Sequence, residues 1–259
     1  MASAGIRLEV DPAGVARLTL DRAERRNAFD AAMIGALRAA IEQCARDTAV
    51  RMLVLTGAGA AFCAGADLAH MRAMGTASGQ QNHDDALALA EMLAVLDECA
   101  KPVLARVNGD AFGGGVGLIA CCDIAVGLAD ARFALSEVKL GLVPATIAPH
   151  VVAAIGVRAM RRYALTGERF DGTQARTIGL LHETAVDIPQ LDAVVERLVA
   201  ELLSGGPQAQ QEVKQLVNEV AGAPRNDALR RSTSRRLARL RLSQEARTRI
   251  EDFLARRQR

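Results

Sequence analysis

The sequence predicts an α/β fold. Three patterns carry that prediction: alternating apolar and polar residues near the start, helical stripes separated by short apolar strands through the middle, and helical stripes alone toward the end. Ile6 to Val10 and Val15 to Leu20 alternate around Asp11-Pro12-Ala13-Gly14, whose turn chemistry makes the pair a β-hairpin. From Asp30 onward Ile34, Leu37, Ile41 and Cys44 recur at helical spacing, and Met52 to Thr56 then forms a compact buried strand ending at Gly57. The pattern returns with a helix marked by Leu89, Leu93 and Leu96, an interruption at Lys101-Pro102, and a strand from Val103 to Val107 that ends at Asn108-Gly109. A third strand, Ile124 to Val126, follows a Gly-rich helical segment. Strands alternating with helices imply parallel pairing through right-handed βαβ crossovers rather than a sandwich, although no sequence repeat shows at a fixed period. Past about Pro189 only helical stripes remain, at Val195, Leu198 and Leu202 and then at Val213, Leu216 and Val220. The expected division is therefore an α/β core over residues 1–190 and a helical segment over 191–259. That segment is too small to hold much core of its own and is expected to dock on the core or on a neighbouring subunit.

Half of the 259 residues are hydrophobic, enough for one substantial core, and the formal charge of +2 is too small to make nucleic acid or a membrane the main partner. The five cysteines are odd in number and fit neither a zinc site nor a disulfide framework, so no metal is expected and a reducing, cytoplasmic setting suits the chain. Met1 to Gly5 lacks a basic segment leading into an apolar one, and no run reaches membrane-spanning length, so a soluble, untargeted protein is expected. Twelve arginines against four acidic residues fall between Arg225 and Arg259. Aromatic residues are nearly absent there, and Leu237, Leu240 and Leu242 are interleaved with the arginines. This suits a packed helix with a solvated basic face, and nucleic-acid binding is not expected.

Three local features carry chemistry, each after a strand: Phe62-Cys63-Ala64-Gly65-Ala66-Asp67-Leu68, then Gly113-Gly114-Gly115-Val116-Gly117, then Glu137. Ligands of α/β sheets gather at the carboxyl ends of strands, so the three can converge although distant in sequence. Glycines that open a helix let the backbone approach a ligand and leave first-turn N–H groups free for negative charge. Taken alone, a triple glycine reads first as a tight turn, and no Gly-Lys-Ser/Thr follows to make it a P-loop. Asp67 likewise reads first as the cap of a helix starting at about Leu68.

Together the two loops resemble those of the crotonase (enoyl-CoA hydratase/isomerase) superfamily, and the resemblance runs from Arg26-Asn27-Ala28-Phe29 to Phe253-Leu254-Ala255-Arg256. It implies a crotonase-like spiral of ββα turns, a C-terminal helical segment that trimerises (a homotrimer or a dimer of trimers), and an acyl-CoA thioester substrate. No cofactor is implied beyond the coenzyme A that the substrate carries. It also implies an oxyanion hole formed by the N–H groups of Ala64 and Gly114. Two preorganised donors suit an enolate, whose new charge sits on one oxygen.

Glu137 matches one of the two acids of the family's hydratases, whereas Gly117 stands where the other would be. Hydration needs a proton for the α-carbon and a base for the water, while a lone glutamate can move one proton between two carbons, as a Δ3-Δ2 isomerase does. The stretch from Ser136 to His150, with the Gly113 to Leu118 loop, is similar to the methylglutaconyl-CoA and carboxygeranoyl-CoA hydratases of leucine and acyclic-terpene breakdown. A hydratase is thus placed ahead of an isomerase and of a non-catalytic acyl-CoA- or RNA-binding relative. Such substrates end in a second carboxylate, for which Lys139 and His150 are candidate partners, although each also reads as an ordinary surface residue. For coenzyme A the resemblance implies Arg25 or Arg26, just before Asn27-Ala28, at the diphosphate, Arg25 being preferred, although both also read as ordinary solvent-facing arginines of a turn; it implies the backbone of Ala64 to Leu68, with Ala66 and Asp67, at the adenine. It further implies Gly113 and Gly117 beside the thioester, and Phe253 and Arg256 reaching the coenzyme A of an adjacent subunit.

Overall fold

The first strands of the computed structural model, which describes residues 2–257, are the expected hairpin. After β1 (Ala2–Ser3), strands β2 (Ile6–Val10) and β3 (Val15–Leu20) pair antiparallel, with Ile6 opposite Leu20 and Val10 opposite Ala16. Asp11 makes the turn, its Oδ1 accepting the N–H groups of Ala13 and Val15 at 2.9 Å each. Helix α1 (Ala31–Arg46) starts where Asp30 accepts the Met33 N–H at 3.0 Å, and it buries Met33, Ile34, Leu37, Ile41 and Cys44, the stripe that its spacing implies.

Three turns of the chain then repeat one plan. Strand β4 (Met52–Gly57) leads into the short β5 (Ala61–Cys63), followed by α2 (Leu68–Met74) and α3 (Gly79–Asp97). Strand β6 (Val103–Val107) leads into β7 (Asp110–Phe112) and α4 (Gly114–Ala120). Strand β8 (Ile124–Leu128) leads into β9 (Arg132–Ala134), a 3-10 turn over Glu137–Leu140, and α5 (Ala148–Thr166). The chain continues through β10 (Phe170–Asp171), α6 (Gly172–Thr177), β11 (Glu183–Ala185) and α7 (Ile188–Ser204). The long strands, with the short β1 and β11 at the two edges, form a seven-stranded sheet in the order β1-β2-β3-β4-β6-β8-β11, parallel from β3 onward. The short ones form a second sheet in the order β10-β9-β7-β5. Because β5, β7 and β9 pair in the same order as β4, β6 and β8, the loops leaving the three short strands stand side by side. This stacking of ββ(α) turns is the fold that the sequence resemblance implies, although the short second sheet is not itself predicted by any alternation in the sequence. Its strands are two or three residues long, below the length at which a period of two can be recognised.

The core lies between the large sheet and its helices. Strands β4 and β6 are buried on both faces over most of their length, as expected of parallel strands covered on both sides, and Phe29, Phe62 and Phe133 are among the largest wholly enclosed side chains. The chain divides into two compact units, one ending at Val199 and the other beginning at Ala200. The last strand ends at Ala185, and α7 continues to bury Leu191, Val195 and Val199, which carries the first unit past residue 190.

The second unit contains α8 (Pro207–Val220), α9 (Asp227–Arg241) and α10 (Gln244–Arg257). Buried Glu212 joins α8 to α9 by accepting from Arg236 at 2.5 Å and Arg239 at 2.6 Å, and Arg236 also meets Glu219 at 2.6 Å. Part of the basic charge at the end of the chain is therefore consumed by ion pairs inside the unit. Leu237, Leu242, Ile250, Phe253 and Leu254 remain exposed on its helices. Among the described residues no helix is long and apolar enough to cross a membrane.

Candidate active site

The segment Arg26 to Phe29 positions the first loop. Arg26 and Asn27 have left-handed backbones, with φ of 53° and 56°, and the buried Asn27 amide stabilises that bend. Its Oδ1 accepts the Arg22 N–H at 3.0 Å, and its Nδ2 donates to the carbonyls of Ala58 at 2.9 Å and Ala61 at 2.8 Å. The segment then zips along the loop. Ala64 N–H donates to the Arg26 carbonyl, Phe29 N–H to the Gly65 carbonyl and Asp67 N–H to the Phe29 carbonyl, each at 2.9 Å. Cys63 completes it: its thiol donates to the Asn27 carbonyl at 3.2 Å, and its sulfur accepts the Gly65 N–H at 3.4 Å. Burial pushes that thiol up to about 12, so it stays protonated and keeps the donor.

This pattern corrects the expected donor. The N–H of Ala64 is turned toward its own chain and already used, so it cannot hold a thioester oxygen. The groups of Gly65 and Asp67 are also engaged, which leaves Ala66, and after it Leu68 at the start of α2, with N–H groups that have no acceptor among the described residues; Ala66 is the one beside Gly65, against the Gly114 loop.

The second loop supplies the other donor. Gly113, at φ 50°, donates its N–H to the Ala134 carbonyl at 2.9 Å, whereas Gly114, the first residue of α4, has no acceptor for its N–H among the described residues. The loops touch, since a Cβ built on Gly65 would lie 2.8 Å from the Phe112 carbonyl oxygen and 3.5 Å from the Gly114 nitrogen. A Cβ on Gly113 would come 2.9 Å from Glu137 Oε1, so the carboxylate rests directly on the glycine loop. These glycines are required by close approach as much as by backbone angle.

Ala66, Gly114 and Glu137 line one cavity of about 340 Å³, whose remaining wall includes Phe29, Met71, Leu89, Leu142, Val143 and Ile147. Glu137 Oε2 is buried without a hydrogen-bond partner, and burial raises the carboxyl above the ordinary range, opposed only by the residue's own N–H. A carboxylate in that state is a proton acceptor facing a reaction space. Gly117, expected beside the thioester, lies elsewhere. It is buried within α4 and does not line the cavity; a Cβ there would collide with Ile147 Cγ2 and lie 2.8 Å from Ile147 Cβ. The position has no room for a second glutamate.

A groove of about 570 Å³ adjoins the cavity, sharing Ala64, Ala66 and Leu68 with it and lined further by Arg25, Arg26, Ala28 and Asp67. Asp67 is buried; its Oδ1 caps α2 through Ala69 N–H at 2.9 Å and His70 N–H at 3.3 Å. Its Oδ2 accepts from Arg25 at 2.8 Å and Arg22 at 3.1 Å. Arg25 first, and then the two backbone donors, hold the carboxyl at about 2. Arg22, which no motif or period singles out, is the organiser that the sequence did not reveal: it also binds Asp30 at 2.8 Å and the Ala28 carbonyl at 2.9 Å.

The cation expected for a distal carboxylate is absent from the cavity wall among the described residues. The stem of Lys139 lies against Gly167, and His150 Nδ1 faces Asp97 Oδ2 at 3.5 Å. Phe253 and Arg256 belong to α10 in the second unit, where Phe253 is exposed with the Arg257 guanidinium 5.0 Å from its ring centre.

Comparison with known proteins places this geometry. The chain matches the enoyl-CoA hydratase/isomerase family over residues 11–259. It is 36% identical over 215 residues to the enoyl-CoA hydratase ACTT6 of Alternaria alternata, a match covering 82% of this chain and 69% of that protein. The structure agrees with that of an enoyl-CoA hydratase from Shewanella pealeana at a TM-score of 0.93 and 39% identity, over 97% of this chain and 94% of that one. It agrees with Pseudomonas aeruginosa AtuE at 0.92 and 35% identity, over 96% of each.

Proposed function

The chain belongs to the enoyl-CoA hydratase/isomerase family, and from that membership we propose that it adds water across the double bond of an α,β-unsaturated acyl-CoA. The N–H groups of Ala66 and Gly114 hold the thioester oxygen, and Glu137 handles the proton. The observation that carries this reading is the convergence, on one cavity, of two backbone donors without acceptors among the described residues and a carboxylate whose buried Oε2 has no hydrogen-bond partner among them. As water attacks the β-carbon, charge moves to the thioester oxygen, where fixed donors stabilise it more than they stabilise the neutral ground state. Glu137 takes a proton from the water and returns one to the α-carbon; its raised carboxyl value suits both halves of that exchange.

The similarity of residues 136–150 to the methylglutaconyl-CoA hydratase branch supports 3-methylglutaconyl-CoA or a related branched thioester as substrate, with the carboxylate end at the cavity mouth rather than on a cation of the wall. The groove beside Arg25 and Ala28 takes the coenzyme A. Exposed apolar residues on the C-terminal helices support assembly with further copies as a trimer or hexamer. Loss of conjugated-thioester absorbance on incubation with 3-methylglutaconyl-CoA tests the reading. The wild type removes the signal and Glu137→Gln does not; equal rates for both would overturn the assignment.

One observation favours a second reading. With Ile147 packed over Gly117, the cavity wall has a single carboxylate among the described residues, which is all that a Δ3-Δ2 isomerase needs. Oxygen-labelled water separates the two, because isomerisation takes up none.

A further inference from the structure

A hydratase must hold its water as well as deprotonate it, and Gly117 can supply nothing for that task. The cavity has three polar side chains among the described residues: Ser136, Glu137 and Thr146. Neither hydroxyl is bonded to another described residue of the chain. Their settings differ. Ser136 begins the 3-10 turn that carries Glu137, its carbonyl accepting the Lys139 N–H at 3.0 Å. Thr146 immediately precedes Ile147, the residue whose side chain fills the space over Gly117. The 146–147 segment therefore covers the face from which a second carboxylate at position 117 would project, and Thr146 is the hydroxyl-bearing residue of that segment and lines the cavity.

Resting on the hydratase reading above, we propose that Thr146 is a positioning residue for the attacking water. Its Oγ1 accepts one hydrogen bond from the water while Glu137 accepts the other. The water oxygen forms its bond to the β-carbon, and the π pair moves through the α-carbon to the thioester oxygen held by Ala66 and Gly114. The proton released by the water passes to Glu137 and then to the α-carbon, so one water is added in total. Thr146 neither gains nor loses a proton, and a hydroxyl has the acceptor lone pair this role requires. In an apolar cavity such a bond fixes geometry strongly, and misplacing a reactant by about 1 Å costs roughly 10²-fold in rate.

The test compares wild type, Thr146→Val, Thr146→Ser and Ser136→Ala in two reactions. One is uptake of labelled water oxygen into the hydroxyacyl product from 3-methylglutaconyl-CoA. The other is deuterium exchange at the α-carbon of the saturated 3-methylglutaryl-CoA, which needs the two donors and Glu137 but no added water. Thr146→Val is expected to lose roughly 10²-fold in hydration kcat at unchanged KM and to keep α-exchange, while Thr146→Ser keeps most of both. Wild-type hydration in Thr146→Val overturns the proposal. So does a parallel loss of exchange, an inactive Thr146→Ser, or a selective loss in Ser136→Ala instead. A wild type that exchanges but takes up no oxygen overturns the hydratase reading itself, and this proposal with it.

Discussion

Replacing Gly114 by alanine should disable the oxyanion hole through a packing clash. Gly114 has ordinary helical φ, so the backbone tolerates alanine, but the new methyl would lie 3.0 Å from Phe29 Cε1 and closer still to Cζ. Non-bonded carbons settle at about 3.5 to 4.0 Å, and Phe29, at 2% exposure, has nowhere to retreat, so the ring or the loop must shift by about 1 Å. A donor about 2.9 Å from the oxygen then lies beyond hydrogen-bonding range. Losing one such donor costs about 3 to 4 kcal/mol of barrier, or roughly 10² to 10³ in kcat, while overpacking costs about 1 to 3 kcal/mol of stability. Steady-state hydration, run beside thermal melting, separates the two effects. Phe29→Leu in the Gly114→Ala background should return part of the lost kcat by making room. A folded Gly114→Ala enzyme with near-wild-type kcat would refute this chain of reasoning.

Other consequences concern groups around the same loops. Because burial raises the Glu137 carboxyl and its charged form is the base, kcat/KM should fall on the acid side with an apparent value above the ordinary glutamate figure of about 4.3, as a pH profile would show. The folded state binds that proton more tightly than the unfolded state. Wild-type stability relative to Glu137→Gln should therefore decline as pH rises through the same window, leaving the variant with the higher melting temperature at neutral pH. Asp67→Ala removes the α2 cap and should cost about 1 to 2 kcal/mol in urea unfolding near neutral pH. Its carboxyl is depressed, so this deficit is complete above the unfolded value of about 3.9 and should narrow as pH falls toward about 2. Asn27→Ala strands the half-buried Arg22 N–H and Ala58 carbonyl and leaves the buried Ala61 carbonyl with only the 3.5 Å bond from Asn108 Nδ2; with a stranded group costing about 1 to 3 kcal/mol, the urea midpoint should fall by the equivalent of about 2 to 3 kcal/mol and kcat should drop with it.

The long elements could be read from local patterns because each encodes its own period: the stripe of α1, the hairpin around Asp11 and the buried run of β4 all stand where their residues imply. The three chemical features could be found for a similar reason, being short strings placed just after strands. Which N–H of the first loop faces the cavity could not. Ala64 and Ala66 are identical residues flanking Gly65, and the choice is made by φ of 86° at Gly65 and by the Arg26 carbonyl, a partner 38 residues away. The packing of Ile147 over Gly117 and the convergence of Arg22 on Asp67 are likewise contacts between distant segments. No local period or motif encodes them.

The polarisation of a bound thioester tests the two-donor site most directly. With acyl-CoA carrying ¹³C at the thioester carbonyl, the difference infrared spectrum of the complex should show the carbonyl stretch below its position in water. In Gly114→Ala it should return toward the aqueous frequency. A stretch at or above the aqueous value in the wild-type complex would mean that the Ala66 and Gly114 N–H groups do not hold that oxygen.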